Sequence, residues 1–218
     1  MAAGARVATV SIRTVIAFAA TFGATANGLG AADDLFDRLY ARGQAQLSSM
    51  QSVRAQFTET TTSSLLTRPI VARGRLIAAQ PSHLRMEYET PEPKIVVATA
   101  ERLVVVWPRR GTREQLDITQ IQKRVQQYFA HATAKQLKDQ FTIRVFEDPQ
   151  VRGTYQFDMR PKRKQIREGL EKLQLWLDES NLMLRQMRMT FPGGDDKLIA
   201  LDDVEVNVPI EADTFRIP

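Results

Sequence analysis

Residues 84–107 read LRMEYETPEPKIVVATAERLVVVW, and their patterns decide the fold. In the first five of these residues, apolar side chains alternate with charged ones, which is typical of a strand buried on one face. Two apolar runs follow, at 94–99 and 102–107, and only Ala100 and Glu101 separate them. Prolines stand at the boundaries of these runs, where they disturb a sheet least. The stretch therefore predicts three consecutive antiparallel strands, the last two joined as a hairpin.

Similar patterns extend to both sides of this stretch. A stripe of leucines at helical spacing indicates a helix from residue 33 to about 51. Ile121, Val125, Tyr128 and Phe129 recur at the same spacing and predict a second helix, with a further helical turn at 134–139. The remaining predicted strands span residues 53–62, 74–79, 112–118, 141–147, 154–159, 173–177, 182–191 and 198–208.

The order of these elements predicts the fold class. A helix precedes about six strands, and a second helix precedes about five more. Strands and helices do not alternate along the chain, which argues against a doubly wound parallel sheet. The strands are short and are joined by turns, which favours one large, curled antiparallel sheet with both helices on one side. We therefore predict an α+β fold that is mainly β.

The N-terminal residues have the pattern of a signal peptide for export. Arg6 and Arg13 form its positive flank, residues 14–26 carry no charge, and Ala24-Thr25-Ala26 offers small residues for the cleavage site. We expect cleavage after residue 26; a later cut near Ala31 and a retained anchor are the alternatives. No internal repeat or low-complexity linker is found in the sequence, so residues 27–218 are predicted to form a single domain.

A mild positive charge remains once the leader is removed. The formal charge is +5, and loss of Arg6 and Arg13 leaves +3. The excess is concentrated in what we call the basic segment, which contains Arg160, Lys162, Arg163, Lys164 and Arg167. This segment is either a solvated loop or a surface that steers the protein to an anionic membrane or an acidic partner. Nucleic acid is not expected as a partner, because no aromatic residues or reading motif accompany the cluster.

The sequence carries no motif of catalysis or metal binding. It has no cysteine, which excludes thiolate metal sites and catalytic thiols. His83 and His131 belong to no spaced metal motif, and no nucleophile elbow or phosphate-binding loop is present. Asp202 and Asp203 are adjacent in a predicted strand, so their side chains are expected on opposite faces of the sheet. The sequence thus predicts a binding protein rather than an enzyme, with no cofactor and no metal.

Apolar side chains are the remaining candidates for a functional site. A curled, unclosed sheet can keep a cavity between itself and a helix, and methionine suits such a cavity because its side chain is adaptable. An ordinary filled core is the alternative interpretation of the same residues. The candidates on the strands and on the second helix are Leu76, Leu84, Met86, Tyr88, Ile121, Val125, Tyr128, Phe129, Leu173, Leu175, Leu177, Met187 and Met189.

An ordered set of short motifs resembles the family of periplasmic outer-membrane lipoprotein carriers, LolA. The resemblance extends over nearly all of residues 33–218. Its motifs are VRAQFTE at 53–59, GRL at 74–76 before Pro81, LRMEY at 84–88 before Pro91, IVV at 95–97, WP at 107–108, the stretch 201–207, and FRIP at 215–218. Each motif is weak by itself, and it is their order behind a signal peptide that makes the resemblance specific.

The resemblance implies a LolA/LolB-like fold, an unclosed antiparallel β-barrel of about 11 strands with a helical lid formed around Tyr128 and Phe129. Its apolar cavity would hold the acyl chains of lipoproteins, or another lipid, on the way to the outer membrane. The resemblance also implies an inner-membrane release complex and an outer-membrane receptor as partners. The carrier itself would be a periplasmic monomer.

Several positions depart from the family pattern. Gln80 stands before Pro81, where the family usually has an arginine that helps to hold the lid shut, and Met86 replaces an aromatic residue. A divergent paralogue that carries a different lipid is compatible with these changes. The alternative function is a periplasmic structural or sensory domain that has the same fold and binds a protein partner.

Overall fold

The computed structural model describes residues 35–125 and 132–217, and the side chains of residues 35–123 and 132–217. The helices in these ranges are α1 (Leu35–Ser48), α2 (Thr119–Val125), α3 (Ala134–Gln140) and α4 (Lys164–Arg167), with a short 3₁₀ helix at Pro108–Arg110. The predicted leader, including both cleavage positions, lies outside the described residues, and so do Tyr128, Phe129 and His131.

The strands of the described chain form one antiparallel sheet of 11 strands. They are β1 (Ser52–Thr62), β2 (Ile70–Ala79), β3 (His83–Thr90), β4 (Lys94–Ala98), β5 (Arg102–Trp107), β6 (Thr112–Asp117), β7 (Phe141–Glu147), β8 (Thr154–Pro161), β9 (Lys172–Asp178), β10 (Leu184–Thr190) and β11 (Asp196–Val206).

The sheet is open, and its order is β6-β5-β4-β3-β2-β1-β11-β10-β9-β8-β7. The strands thus form two meanders, β1–β6 and β7–β11, and the pairing of β1 with β11 joins them. This arrangement confirms the prediction of an unclosed, mainly β, antiparallel architecture with helices beside it. The strand β1 occupies the centre of the sheet, whereas β6 and β7 are its two edges.

Alternation along the strands gives the sheet an inner and an outer face. In β1, Ala55 and Phe57 have 2 % of their surface exposed, whereas Arg54 and Gln56 are exposed to solvent. We call the face that carries Ala55 and Phe57 the inner face. One continuous apolar cluster covers it from β5 to β8. Burial of this face provides the main stabilisation of the fold, because each fully buried large apolar side chain contributes roughly 1.5–3 kcal/mol.

The helices α1 and α3 lie against the β7–β8 side of this cluster. Phe36 of α1 packs edge-on against Phe157, with 6.1 Å between the ring centroids. Lys138 of α3 donates a hydrogen bond of 2.8 Å to Asp37 of α1. The side chain of Thr133 caps the N-terminus of α3 in a capping box with Gln136, which satisfies two free backbone donors. The helical turn predicted at 134–139 is therefore confirmed.

The strand β11 contains a bulge that corrects one expectation from the sequence. Asp202 pairs with Gln56 and Glu205 pairs with Arg54, so two residues of β11 lie opposite Ala55. Asp203 takes the left-handed conformation, with φ of 51°, and its carboxylate accepts a hydrogen bond of 2.8 Å from Gln56. Both Asp202 and Asp203 are therefore exposed, and the prediction of opposite faces is wrong because the bulge interrupts the alternation.

The C-terminal segment after β11 returns along β3. The guanidinium of Arg85 donates hydrogen bonds to the carbonyl oxygens of Thr214 and Arg216, at 3.3 and 3.2 Å. The centroids of the Phe215 and His83 rings lie 5.1 Å apart. None of the helices in the part of the chain that the structure describes has the length and hydropathy needed to cross a membrane.

Candidate functional site

The candidate site is the inner face of the sheet, where the strand register places apolar side chains in rows. On the β8–β11 side, one row contains Phe157, Leu175, Met187 and Ile199, which pair in that order across four strands. The neighbouring row contains Met159, Leu173 and Met189. Met159 is 4 % exposed and was missed in the sequence, although it alternates in phase with Phe157.

The β2–β5 side of the inner face is also buried. Leu76 pairs with Met86, and Met86 pairs with Val96 on β4. Leu84 follows in the next row, opposite Ala98. These side chains have at most 3 % of their surface exposed, so little solvent-accessible space reaches them.

The structure places the described candidates in one cluster. Leu76, Leu84, Met86, Tyr88, Leu173, Met187 and Met189 are buried members of the cluster, and Ile121, Leu175 and Leu177 are half-buried and pack against it. The side chains of Val125, Tyr128 and Phe129 lie outside the described residues. The role of these residues in lipid binding stays a prediction.

A group of three charged side chains and one tyrosine also lies on the inner face, and we call it the interior polar cluster: Glu59, Tyr88, Lys94 and Lys197. The ammonium of Lys197 donates a hydrogen bond of 2.9 Å to Glu59 Oε1, and the Tyr88 hydroxyl donates one of 2.9 Å to Glu59 Oε2. Lys197 is 1 % exposed and Glu59 is 5 % exposed. Water is therefore almost completely excluded from the pair, and each charge depends on the other for its stabilisation.

Lys94 extends the interior polar cluster to β4. Its Nζ atom lies 3.8 Å from the centroid of the Tyr88 ring, in a cation–π contact. Burial lowers the pKa of Lys94, and the nearby Lys197 acts in the same direction, while the carboxylates of Glu59 and Glu92 oppose the shift. Among the described residues, no carboxylate forms an ion pair with Lys94. Burial also raises the pKa of Tyr88 well above its usual value, so this hydroxyl remains a neutral donor.

Small residues on β2 allow this cluster to form. Phe57, Gly74 and Tyr88 are aligned across β1, β2 and β3, and the two rings meet edge-on with centroids 4.9 Å apart. Ala72 lies opposite Glu59 on the same side of β2. Because neither Gly74 nor Ala72 projects a large side chain, Tyr88 can cross β2 and reach Glu59 on the central strand.

The interior polar cluster was not predicted, although the sequence contains a signal for it. Glu59 continues the inward phase of Ala55 and Phe57, and Lys197 continues that of Ile199 and Leu201. A charged residue at an inward position of a strand is a candidate for a buried pair. The identity of its partner depends on the register between distant strands.

The basic segment is exposed, and it includes a short helix. Each of its five cationic residues is exposed, and Lys164 and Arg167 form the ends of α4 rather than part of an extended loop. Lys162 anchors the segment, because its ammonium donates a hydrogen bond of 2.6 Å to the carbonyl oxygen of Lys138. Gln80 lies elsewhere, where its side chain donates a hydrogen bond to the carbonyl oxygen of Met50 beside β1.

The described residues contain no group of three or more His, Cys, Asp or Glu side chains arranged to hold a metal ion. His83 is half-buried against Phe215 on the C-terminal segment. The other histidine, His131, lies outside the described residues. The chemistry of the described inner face is therefore that of apolar contact around a small charged cluster.

Solved structures with similar folds come from several bacteria. Lipoprotein LppX from Mycobacterium tuberculosis is 11 % identical with a TM-score of 0.53, and the match covers 83 % of this chain and 99 % of LppX. An uncharacterized conserved protein from Thermus thermophilus is 11 % identical with a TM-score of 0.52, and the match covers 83 % of this chain and 93 % of that protein. MucB is 10 % identical with a TM-score of 0.50, and the match covers 85 % of this chain and 64 % of MucB. At these identities the likeness shows the fold alone.

Sequence comparison identifies the family. No curated protein sequence matches the chain. A family model described as outer membrane lipoprotein carrier protein LolA, however, matches residues 48–218, which include the whole sheet. The chain therefore belongs to the LolA family.

Proposed function

We propose that this protein is an exported, periplasmic carrier that binds the acyl chains of a lipid or lipoprotein against the inner face of its sheet. In this proposal the protein is a monomer and not an enzyme. It receives its cargo from an inner-membrane release complex and delivers it to an outer-membrane receptor. The low identity to solved relatives and the replacement of the usual arginine by Gln80 are compatible with a divergent paralogue that carries another lipid.

The observation that supports this proposal best is the continuous apolar inner face beside separate helices. Its β8–β10 side contains three methionines, Met159, Met187 and Met189, whose unbranched side chains can repack around a ligand. Each methylene that moves from water into such a site contributes about 0.8 kcal/mol, so even a short length of acyl chain can be held. Leu175 and Leu177 are half-buried, and we propose that an acyl chain first makes contact with them.

Entry of an acyl chain requires a rearrangement, because most side chains of the inner face, including those of the β8–β11 side, are buried in this conformation. The second predicted helix begins as α2, and Ile121 of this helix packs against the cluster. We propose that α2 and the residues after it, including Tyr128 and Phe129, act as the lid. Displacing this lid would expose the inner face to cargo.

The proposal predicts that the mature protein, purified after export, carries lipid that mass spectrometry can identify.

Replacing Leu175 with Asn should weaken binding of a palmitoyl probe at least tenfold, since it removes apolar contact and places an unsatisfied amide beside the acyl chain. Affinity is measured by titration calorimetry with the delipidated protein.

Leu65 provides the matched control, because it is 78 % exposed in the loop between β1 and β2. Leu65→Asn makes the same chemical change away from the inner face and should leave affinity unchanged. A wild-type protein that is folded, carries no lipid and binds no palmitoyl probe would contradict the carrier function.

A protein-binding role is the second candidate, and the tight packing of Leu76, Leu84 and Met86 is the observation that favours it. In this alternative the inner face stays filled and a protein partner binds elsewhere. The lipid analysis above distinguishes the two, because a permanently filled interior carries no acyl chain.

We also propose that the basic segment steers the carrier to an anionic surface. Each cation near an anionic bilayer contributes about 1 kcal/mol within a Debye length, which gives weak and reversible attraction. We expect binding to phosphatidylglycerol vesicles that is lost at high salt. Changing Lys162, Arg163 and Lys164 to Glu should abolish the binding in a flotation assay.

The control for this prediction is an equal change of charge at scattered exposed arginines. Changing Arg68, Arg73 and Arg102 to Glu gives the same net charge without touching the basic segment. If both triple variants lose binding equally, net charge and not the basic segment is responsible.

A further inference from the structure

We propose that the interior polar cluster recognises an anionic group, a carboxylate or a phosphate, at the polar end of the bound lipid, and that Lys94 is the residue that contacts it. This inference rests on the proposed carrier function and narrows its cargo to lipids with an acidic end group. It follows from the charges of the cluster, from its place in the sheet and from the surroundings of Lys94.

The cluster contains one more positive than negative charge. Both carboxylate oxygens of Glu59 are already occupied, Oε1 by Lys197 and Oε2 by Tyr88. Glu92, the other carboxylate that acts on Lys94, is held by two hydrogen bonds of 2.5 Å from Arg110. Within the part of the chain that the structure describes, Lys94 therefore has the face of the Tyr88 ring and no anion of its own.

The cluster adjoins the apolar rows described above. Glu59 pairs with Ile199, which pairs with Met187, and Met189 pairs with Lys197. The row from Phe157 on β8 to Glu59 on β1 spans five adjacent strands, or about 19 Å at the usual strand spacing. An acyl chain that lies along this row ends at the interior polar cluster, with its polar group beside Glu59, Tyr88 and Lys94.

Burial makes Lys94 a receptive partner for an anion. The lowered pKa of Lys94 shows that its surroundings disfavour the charged form. Lys94 itself is half-buried, whereas Glu59 and Tyr88 beside it are at most 5 % exposed. An anion delivered by the ligand would supply the missing opposite charge at the border of this buried group, where charge pairs are stronger than in water. A ligand with a neutral end group cannot make this contact and would leave Lys94 without an anionic partner among the described residues.

The test uses the delipidated mature protein and three single-chain probes below their micellar concentrations. Palmitate carries a carboxylate, palmitoyl lysophosphatidic acid carries a phosphate, and monopalmitoyl glycerol is neutral. We expect the wild type to bind at least one anionic probe tenfold or more tightly than the neutral probe. The stronger of the two anionic probes identifies the source of the charge.

Lys94→Met should abolish this preference, so that the variant binds the anionic probes and monopalmitoyl glycerol with affinities within twofold of each other. Lys94→Arg should restore the preference, because it returns the positive charge. Lys135→Met, at an exposed lysine of α3, is the control and should change nothing. Lys94→Gln gives the same comparison if the methionine variant does not fold.

The outcomes separate this inference from the proposed function. If the wild type binds anionic and neutral probes equally, or if Lys94→Met keeps the preference, the inference is wrong and the carrier function stands. If the folded protein binds none of the probes, both are overturned.

Discussion

Replacing Lys197 with methionine should lower the free energy of unfolding by about 3–5 kcal/mol, the usual cost of removing one partner from a buried ion pair. Among the residues that the structure describes, this change leaves the Tyr88 hydroxyl as the one hydrogen-bond donor to the carboxylate of Glu59 at the centre of the inner face. A domain is commonly stable by about 5–15 kcal/mol, so this loss is a large share of the total. Urea unfolding at neutral pH, followed by circular dichroism, measures it.

A double variant identifies the cause of this loss. Adding Glu59→Gln to Lys197→Met removes the unpaired charge and keeps an acceptor for Tyr88, so the double variant should be more stable than Lys197→Met alone. Arg54→Met is the control, since Arg54 forms an exposed pair with Glu205 and its loss should cost at most about 1 kcal/mol. If Lys197→Met costs no more than Arg54→Met, the buried pair does not stabilise the fold.

Replacing Gly74 with alanine should destabilise the protein by about 3 kcal/mol, at the upper end of the cost of overpacking. A Cβ atom at this position would lie 2.0 Å from the carbonyl oxygen of Glu87 and 3.0 Å from Cε1 of Phe57. The first of these atoms belongs to the backbone of the neighbouring strand, which cannot move without disturbing the pairing of β2 with β3. Thermal and urea unfolding measure the effect.

Gly43→Ala is a matched control with the opposite expected sign. A Cβ atom there would make an ordinary contact of 3.8 Å with Leu182, and Gly43 lies inside α1. Alanine is the better helix former by about 1 kcal/mol, so this variant should be more stable than the wild type. If the two substitutions change the stability equally, steric crowding at Gly74 does not determine the effect of Gly74→Ala.

The sequence predicts most strands because their patterns are local. Alternation at 141–147 predicts a strand with the bounds that β7 has in the structure. The first residues of β2 were missed, since the predicted strand begins at Gly74 and the observed one at Ile70. Ile70 and Val71 are exposed and are extended because they pair with Thr61 and Thr60 of β1, a contact that no local pattern reveals.

The candidate site was predictable in its apolar part and hidden in its polar part. The inward phase of Leu84, Met86 and Met187 follows from alternation alone, and the structure places all three in the buried cluster. Glu59 and Lys197 are also in phase, but they are 138 residues apart in sequence. Their pairing depends on the register of β1 with β11, which no nearby residue determines.

The joining of the two meanders through β1 and β11 has a consequence for the order of folding. Each meander is built from neighbouring strands, so its contacts have a small sequence separation and can form early. The pairing of β1 with β11 closes a much longer loop and is expected to form late. Until then β1 has a free edge, and an unpaired edge is a site of aggregation. The newly made chain is therefore expected to be prone to aggregation at this edge until residues 196–206 are free to pair.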